Sequence, residues 1–281
     1  MFSTDEWFRE TLRLNGYPED PPRALFKFVP SSSPYFSAGL LELFLHNRIR
    51  LSCRREFNDP FDSTFALHPV SSDDIRVYLT QTPERLGLPA KTEEEIVHAM
   101  SAPTEYLERA NRSMGGSLDE WGIYSMSSSA KHPLMWGHYA TAHKGLALIF
   151  RHAARDTDFG AFPVRYQAEF PRVHATVDGM EALVGQALVK GEDWRYEREW
   201  RLVAPKAART WIELHPKVFA GVVFGALCQD QDIAYVMELS QRRVRAGFPP
   251  IDVIQARIDD EKFELDFFAL QGNTLVPIEL D

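Results

Sequence analysis

The chain has 281 residues, 44% hydrophobic, 12% aromatic and 25% charged, the composition of an ordinary globular protein whose core needs no disulfide staple. Its 31 basic and 40 acidic residues leave a formal charge of −9, which excludes the overall basic footprint of a nucleic-acid binder and leaves room only for a local basic groove. No apolar run approaches the roughly 18 residues of a membrane span, the acidic start (MFSTDEWFRE) does not read as a signal peptide, and Cys53 and Cys228 form no CxxC pair. A cytoplasmic protein without membrane contact is expected, its two thiols serving as small core residues.

Residues 1–24, polar and broken by Pro21-Pro22, read as a lead-in to a single domain over 25–281. Leu25–Val29 reads as a first strand. Ser33-Pro34 supplies an N-cap and a first-turn proline for a helix over about 34–46, where Phe36, Leu40, Leu41, Phe44 and Leu45 fall at helical spacing. Ile49–Ser52 follows as a short strand, and Arg54–Asp62 as a turn-rich corner. Residues 71–115 read as an inserted set of helices, one opened by the TEEE at 92–95 and the last closed by Gly115-Gly116.

Beyond 120 the pattern changes. Trp121–Ser127 predicts a strand, Pro133–His143 a short aromatic helix, and Val164–Ala168 another strand. Residues 176–190 predict an amphipathic helix, Tyr196–Val203 an alternating strand, and 230–245 a helix; Asp252–Ile258 and Phe263–Leu270 are late strands. Gly145–Phe150 and Val218–Phe224, continuous apolar runs, predict central strands covered on both faces. The fold class expected is α+β, with a mixed or largely antiparallel sheet and flanking helices.

Four constellations carry candidate chemistry. In FNDPFD, Asn58 and Asp59 before Pro60 favour a turn; the corner is either pinned by two buried phenylalanines or aims Asp59 or Asp62 into a cleft. In Ser125–Ser129, alternation puts Ser125 and Ser127 on one strand face, without the elbow of a serine nucleophile. In MWGHYA, Trp136, His138 and Tyr139 form a possible platform for a base or nicotinamide. His138 and His143 are five apart, the wrong spacing for a helical metal pair, so no metal is expected. In WRYEREWR, a strand would put Glu197, Glu199 and Arg201 on one face, where two carboxylates can divide acid–base work or pair with the arginine.

The ordered set LFKFV, FNDPFD, SMS, LMWGHYATAHKGLALIF and, after Lys190, EDWRYEREWRL resembles the bacterial family catalogued as domain of unknown function 2971, over about residues 25–227. The order of a basic residue on a first strand, Ser-x-Ser at a strand end and Glu-x-Glu on a later strand is also similar to the layout of ADP-ribosyltransferases. That second resemblance implies an ADP-ribosyltransferase-like fold using NAD as substrate. It implies Lys27 on the dinucleotide phosphates and Ser127, with Ser125, supporting the nicotinamide. Glu199 would stabilise an oxocarbenium-like state and Glu197 orient an acceptor. Lys27 stands where the family has arginine, and Arg23 and Arg54 are the substitutes.

Three readings follow. The first is an ADP-ribosyltransferase-like enzyme moving ADP-ribose from NAD to an unknown macromolecular acceptor. The second is a carboxylate-dependent hydrolase of a nucleotide, nucleic acid or sugar, using Glu197, Glu199, Asp59 or Asp62. The third is a non-catalytic nucleotide- or partner-binding module.

Overall fold

The computed structural model describes residues 17–68, 71–86, 89–152, 159–173, 180–271 and 274–280. The described residues of Cys53–Trp121 and Arg165–Glu192 form one compact unit; those of Gly16–Ser52, Gly122–Val164 and Asp193–Asp281 form another. In chain order, β1 (Ala24–Val29), α1 (Phe36–His46) and β2 (Arg48–Arg50) open the second unit. The first unit then supplies β3 (Ala66–Leu67), α2 (Ser72–Leu86), α3 (Glu93–Ser101) and α4 (Pro103–Asp119). The chain returns to the second unit for β4 (Gly122–Ser127), α5 (Pro133–Tyr139), β5 (Leu146–Arg151) and β6 (Phe162–Pro163). It completes the first with β7 (Arg165–Gln167), β8 (Arg172–Val173), α6 (Met180–Ala187) and β9 (Val189–Gly191). The second unit closes with β10 (Glu199–Ala204), β11 (Trp211–Glu213), β12 (Phe219–Phe224), α7 (Asp230–Arg245), β13 (Asp252–Ile258), β14 (Leu265–Gln271) and β15 (Thr274–Ile278).

The second unit is built on a nine-stranded sheet in the order β15-β14-β13-β12-β5-β1-β4-β10-β6. Its neighbours are antiparallel except β12 and β13, which run parallel, so the expected α+β class with a largely antiparallel mixed sheet is what the chain adopts. The two continuous apolar runs are β5 and β12, side by side at the centre, because strands covered on both faces have no place for a polar side chain.

Alternation along the strands separates two cores. On one face Leu25, Tyr124, Met126, Leu148, Phe150 and Trp200 pack with Phe36, Leu40 and Phe44 of α1 and Val236 and Leu239 of α7. On the other, Phe26, Phe28, Ala147, Ile149, Val223 and Ile254 pack with Met135, Trp136 and Ala140 around α5. Arg243 of α7 is buried where α1 ends: its Nη1 donates to the Leu43 and Phe44 carbonyls and to Asn47 Oδ1, the last at 2.7 Å. These bonds reinforce the last carbonyls of the helix, of which that of Leu43 also accepts the Asn47 N–H at 3.1 Å.

In the first unit α3 begins after an N-cap at Thr92, as the TEEE predicts, and a reciprocal capping box between Thr92 and Glu95 closes its first turn. Ile75 and Ala99 lie buried among Leu79, Met100, Tyr106 and Leu107 of the neighbouring helices. The parallel pairs β3–β8 and β7–β9 lie in the same unit.

Several boundaries differ from expectation. α1 starts at Phe36 rather than 34, with Ser33 Oγ accepting from the Tyr35 N–H ahead of the helix. Gly115 and Gly116 do not end a helix; α4 continues to Asp119. α5 stops at Tyr139, followed by Thr141, Ala142 and His143, all in the left-handed region. Of the helix expected at 176–190, residues 176–179 lie outside the described set; a helix covers Met180–Ala187 and a strand Val189–Gly191. The strand expected from Tyr196 starts only at Glu199, because Glu192–Glu197 forms a 3-10 helix and Arg198 has φ of 46°.

Candidate functional site

The densest gathering of candidate residues is at the start of β10, where β4 ends beside it. Glu199 lies directly opposite Ser127, and Arg201 opposite Ser125, so these four side chains share the sheet face that α5 covers. Pro133 at the first helical turn and His132, whose Nδ1 accepts from the Leu134 N–H, start α5 just after β4. That short helix brings Tyr139 back to the same place.

Two acidic residues there behave differently. Glu199 is 6% exposed, and its oxygens take a two-pronged contact from the fully buried Arg201, Nε at 2.8 Å and Nη2 at 2.9 Å. An arginine fork on a carboxylate in a dry site is a strong, orienting pair. Glu197, 3% exposed, accepts the Tyr139 hydroxyl on Oε1 at 2.5 Å. Its own backbone carbonyl accepts the Ser127 hydroxyl at 2.6 Å, and the Arg198 carbonyl accepts the Ser128 N–H at 3.0 Å. The left-handed Arg198 is therefore held from both sides, and its turn points Glu197 at Tyr139 instead of along a strand.

Around this carboxylate stand half-buried or exposed rings. Tyr196 lies 5.2 Å from His132, 6.1 Å from Trp194 and 6.4 Å from His138, all at tilted angles, and His138 lies 6.3 Å from Tyr139. Such a cluster presents flat apolar faces next to a carboxyl acceptor.

The sequence-predicted residues thus divide. Ser127, Tyr139, Glu197, Glu199 and Arg201 come together, with His138 on the rim. Ser127 is 1% exposed and acts in the backbone: besides its bond to Glu197 it accepts the Ser129 N–H, so its hydroxyl caps a turn. Ser125 sits one pair further along, across from Arg201. Trp136, expected as an aromatic wall, is fully buried, edge-on to Phe28, with Nε1 donating to the Ala130 carbonyl. Lys27 does not join the group. Alternation along β1 turns it to the opposite face, where its Nζ sits 5.0 Å above the Tyr124 ring.

The Asn58–Asp62 corner belongs to the first unit. Asn58 is exposed, whereas Asp59 is buried and its Oδ1 accepts from the Phe61 N–H, the local turn that Asx residues favour. Asp62, also buried, accepts from the Ser63 hydroxyl and lies 3.5 Å from the buried Lys190 ammonium. The reading of a corner pinned by two buried phenylalanines fails: Phe57 is half-buried, and Phe61 is 66% exposed and near Phe170. Cys53 is buried and Cys228 half-buried, with burial and the nearby Asp232 and Asp230 raising the Cys228 thiol to about 11, so that it stays protonated at neutral pH.

Tyr196, Trp194 and His132 are not among the candidates drawn from the sequence; the signal for the first two is aromatic spacing within a segment expected as a strand. Among the described residues no group of three or more His, Cys, Asp or Glu side chains gathers as a metal site. Among the same residues no helix is long and apolar enough to cross a membrane. No protein-family model matches the chain. Neither the search of curated proteins nor that of solved structures returned a match.

Proposed function

We propose that the second unit binds the planar heterocycle of a nucleotide on the ring surface around Tyr196, His138 and Tyr139, with NAD as the first ligand to test. Glu197 carries this reading: a buried carboxylate fixed to a phenol, beside half-exposed rings. Its bond fixes the Tyr139 ring, so less ordering is required when a ligand stacks. Base stacking on aromatic side chains contributes about 1–3 kcal/mol per base and suits any heterocycle with a π-face.

If turnover accompanies binding, transfer of ADP-ribose is the chemistry this arrangement supports. A carboxylate beside the ribose stabilises positive charge that develops as the glycosidic bond breaks. Glu197 is assigned that role because it stands beside the rings; Glu199 forms the forked pair with Arg201. No part in phosphate binding falls to Lys27, which is turned to the other face.

Calorimetric titration with NAD, beside a transfer assay using labelled NAD and cell extract, tests the reading. Tyr196→Ala is expected to weaken binding by about tenfold or more. Glu197→Gln is expected to lower transfer by about 10²–10⁴ while leaving affinity within a few-fold. Binding without transfer assigns a binding module. Absence of binding by NAD, AMP and nicotinamide alike overturns the proposal.

A further inference from the structure

We infer that the first unit carries a separate binding site for a small phosphorylated molecule, in an arginine-lined hollow beside the C-terminal half of α4. The hollow has a volume of about 510 Å³ and takes its walls from Arg54 and Arg55, from Thr64 and Phe65, and from the α4 stretch that includes Asn111 and Arg112. That is larger than a bare anion needs and falls within the range of small-molecule sites.

Charge identifies the ligand class. Arg54, Arg55 and Arg112 line the hollow against one acid, Asp119, an excess of two positive charges in a chain whose formal charge is −9. Counting Glu108, which approaches Arg112 at 3.8 Å, still leaves one. The three cations are held differently. Arg54 is a fixed wall: Nε donates to Asp119 at 2.7 Å, Nη1 to the Ser63 carbonyl and Nη2 to the Gly115 carbonyl. Arg55 rests on the other Asp119 oxygen but is 70% exposed, and Arg112 is 68% exposed. Both guanidinium forks can therefore turn to an incoming anion, the geometry that suits phosphate oxygens. The Asn111 amide makes no hydrogen bond with the described residues and stands beside them as a further donor.

The glycine pair inside α4 is an independent sign. Glycine in a helix interior costs stability relative to alanine, so two in succession ask for a reason. A Cβ at Gly115 would come 3.2 Å from Arg54 Nη2, so a side chain there would crowd the fixed guanidinium. A Cβ at Gly116 would meet nothing within 4 Å, so packing does not require glycine there; its missing side chain leaves the hollow open.

Calorimetric titration of the full chain with pyrophosphate at constant ionic strength tests the site, with a 5′-phosphorylated single-stranded oligonucleotide as the second arm. Saturable one-to-one binding of pyrophosphate is expected. Arg112→Glu and Arg55→Ala should each weaken it by about tenfold or more, since each removes a charged fork from an exposed position. Arg76→Glu, an exposed charge change elsewhere in the unit, should leave affinity within about twofold. Gly116→Leu should abolish binding while thermal melting stays at or above that of the native chain, because leucine favours the helix and fills the hollow. Absence of saturation at millimolar pyrophosphate overturns the inference, as does native-like binding by both Arg112→Glu and Gly116→Leu. Binding of the oligonucleotide about tenfold tighter than pyrophosphate also overturns it, in favour of a nucleic-acid surface.

Discussion

Two glutamates separated by one residue occupy opposite situations. Glu199 shares its charge with Arg201 in a dry pair, whereas Glu197 holds a phenol beneath exposed rings. Removing the charge of Glu199 takes the forked carboxylate away from a fully buried guanidinium, and breaking such a buried pair costs about 3–5 kcal/mol. Glu199→Gln should therefore lower urea stability by that order while NAD affinity holds; an unchanged unfolding midpoint would contradict the structural role. His152 adds a pH dependence. Burial pushes its imidazole below the ordinary value of 6.5, outweighing the bonds to the Pro22 and Ala161 carbonyls. The unfolded chain then binds that proton more readily than the folded one, so the contribution is complete above about pH 6.5 and is lost as pH falls through the depressed value. Melting should occur at a lower temperature at about pH 5.5 than at about pH 7.5, and His152→Gln should narrow the gap. His143, lowered by burial, contributes in the same direction, so some difference persists.

At the scale of elements, the link from α5 to β5 is the most constrained. Thr141, Ala142 and His143 all take left-handed conformations, each costing of order 1 kcal/mol without glycine. The turn is held by Gly145 N–H on the Ala140 carbonyl at 2.7 Å and by Leu227 N–H on the His143 carbonyl at 2.9 Å. A Cβ on Gly145 would lie 2.3 Å from the Val29 carbonyl oxygen, a backbone atom. Gly145→Ala should therefore cost at least about 1–3 kcal/mol in urea unfolding, the overpacking range; a neutral result would mean that β1 and the turn can part freely.

This turn also marks how far the sequence could be read. β5, β12, α7 and the N-cap of α3 were legible because burial on both faces, helical periodicity and capping leave patterns in neighbouring residues. The left-handed run and Arg198 left none, since glycine, the usual sign of positive φ, is absent at all four positions. One unseen dihedral at Arg198 moved Glu197 off the strand and so changed which carboxylate meets Tyr139. Lys27 misled for a related reason: a motif spaced along the chain carries no mark of which face each residue takes once strands pair.

The whole molecule shows how a wide sheet is kept from extending. Its outermost strands, β6 and β15, both contain proline, Pro163 and Pro277. Proline offers no N–H to a further strand and is tolerated at sheet edges for that reason.

The placement of β1 sets the timing of synthesis. This strand pairs with β5, residue for residue from Ala24↔Arg151 to Val29↔Leu146, and with β4 at Phe26↔Ser127. About 90 residues leave the ribosome between β1 and β4 and about 115 between β1 and β5, including α2, α3 and α4 of the other unit. At the usual elongation rate of about 5–20 residues per second, the nascent LFKFV segment waits roughly 5–20 s with both edges unpaired, and longer for β5. During that interval the segment that becomes the middle of the sheet is also the one most open to a chaperone or to another nascent chain.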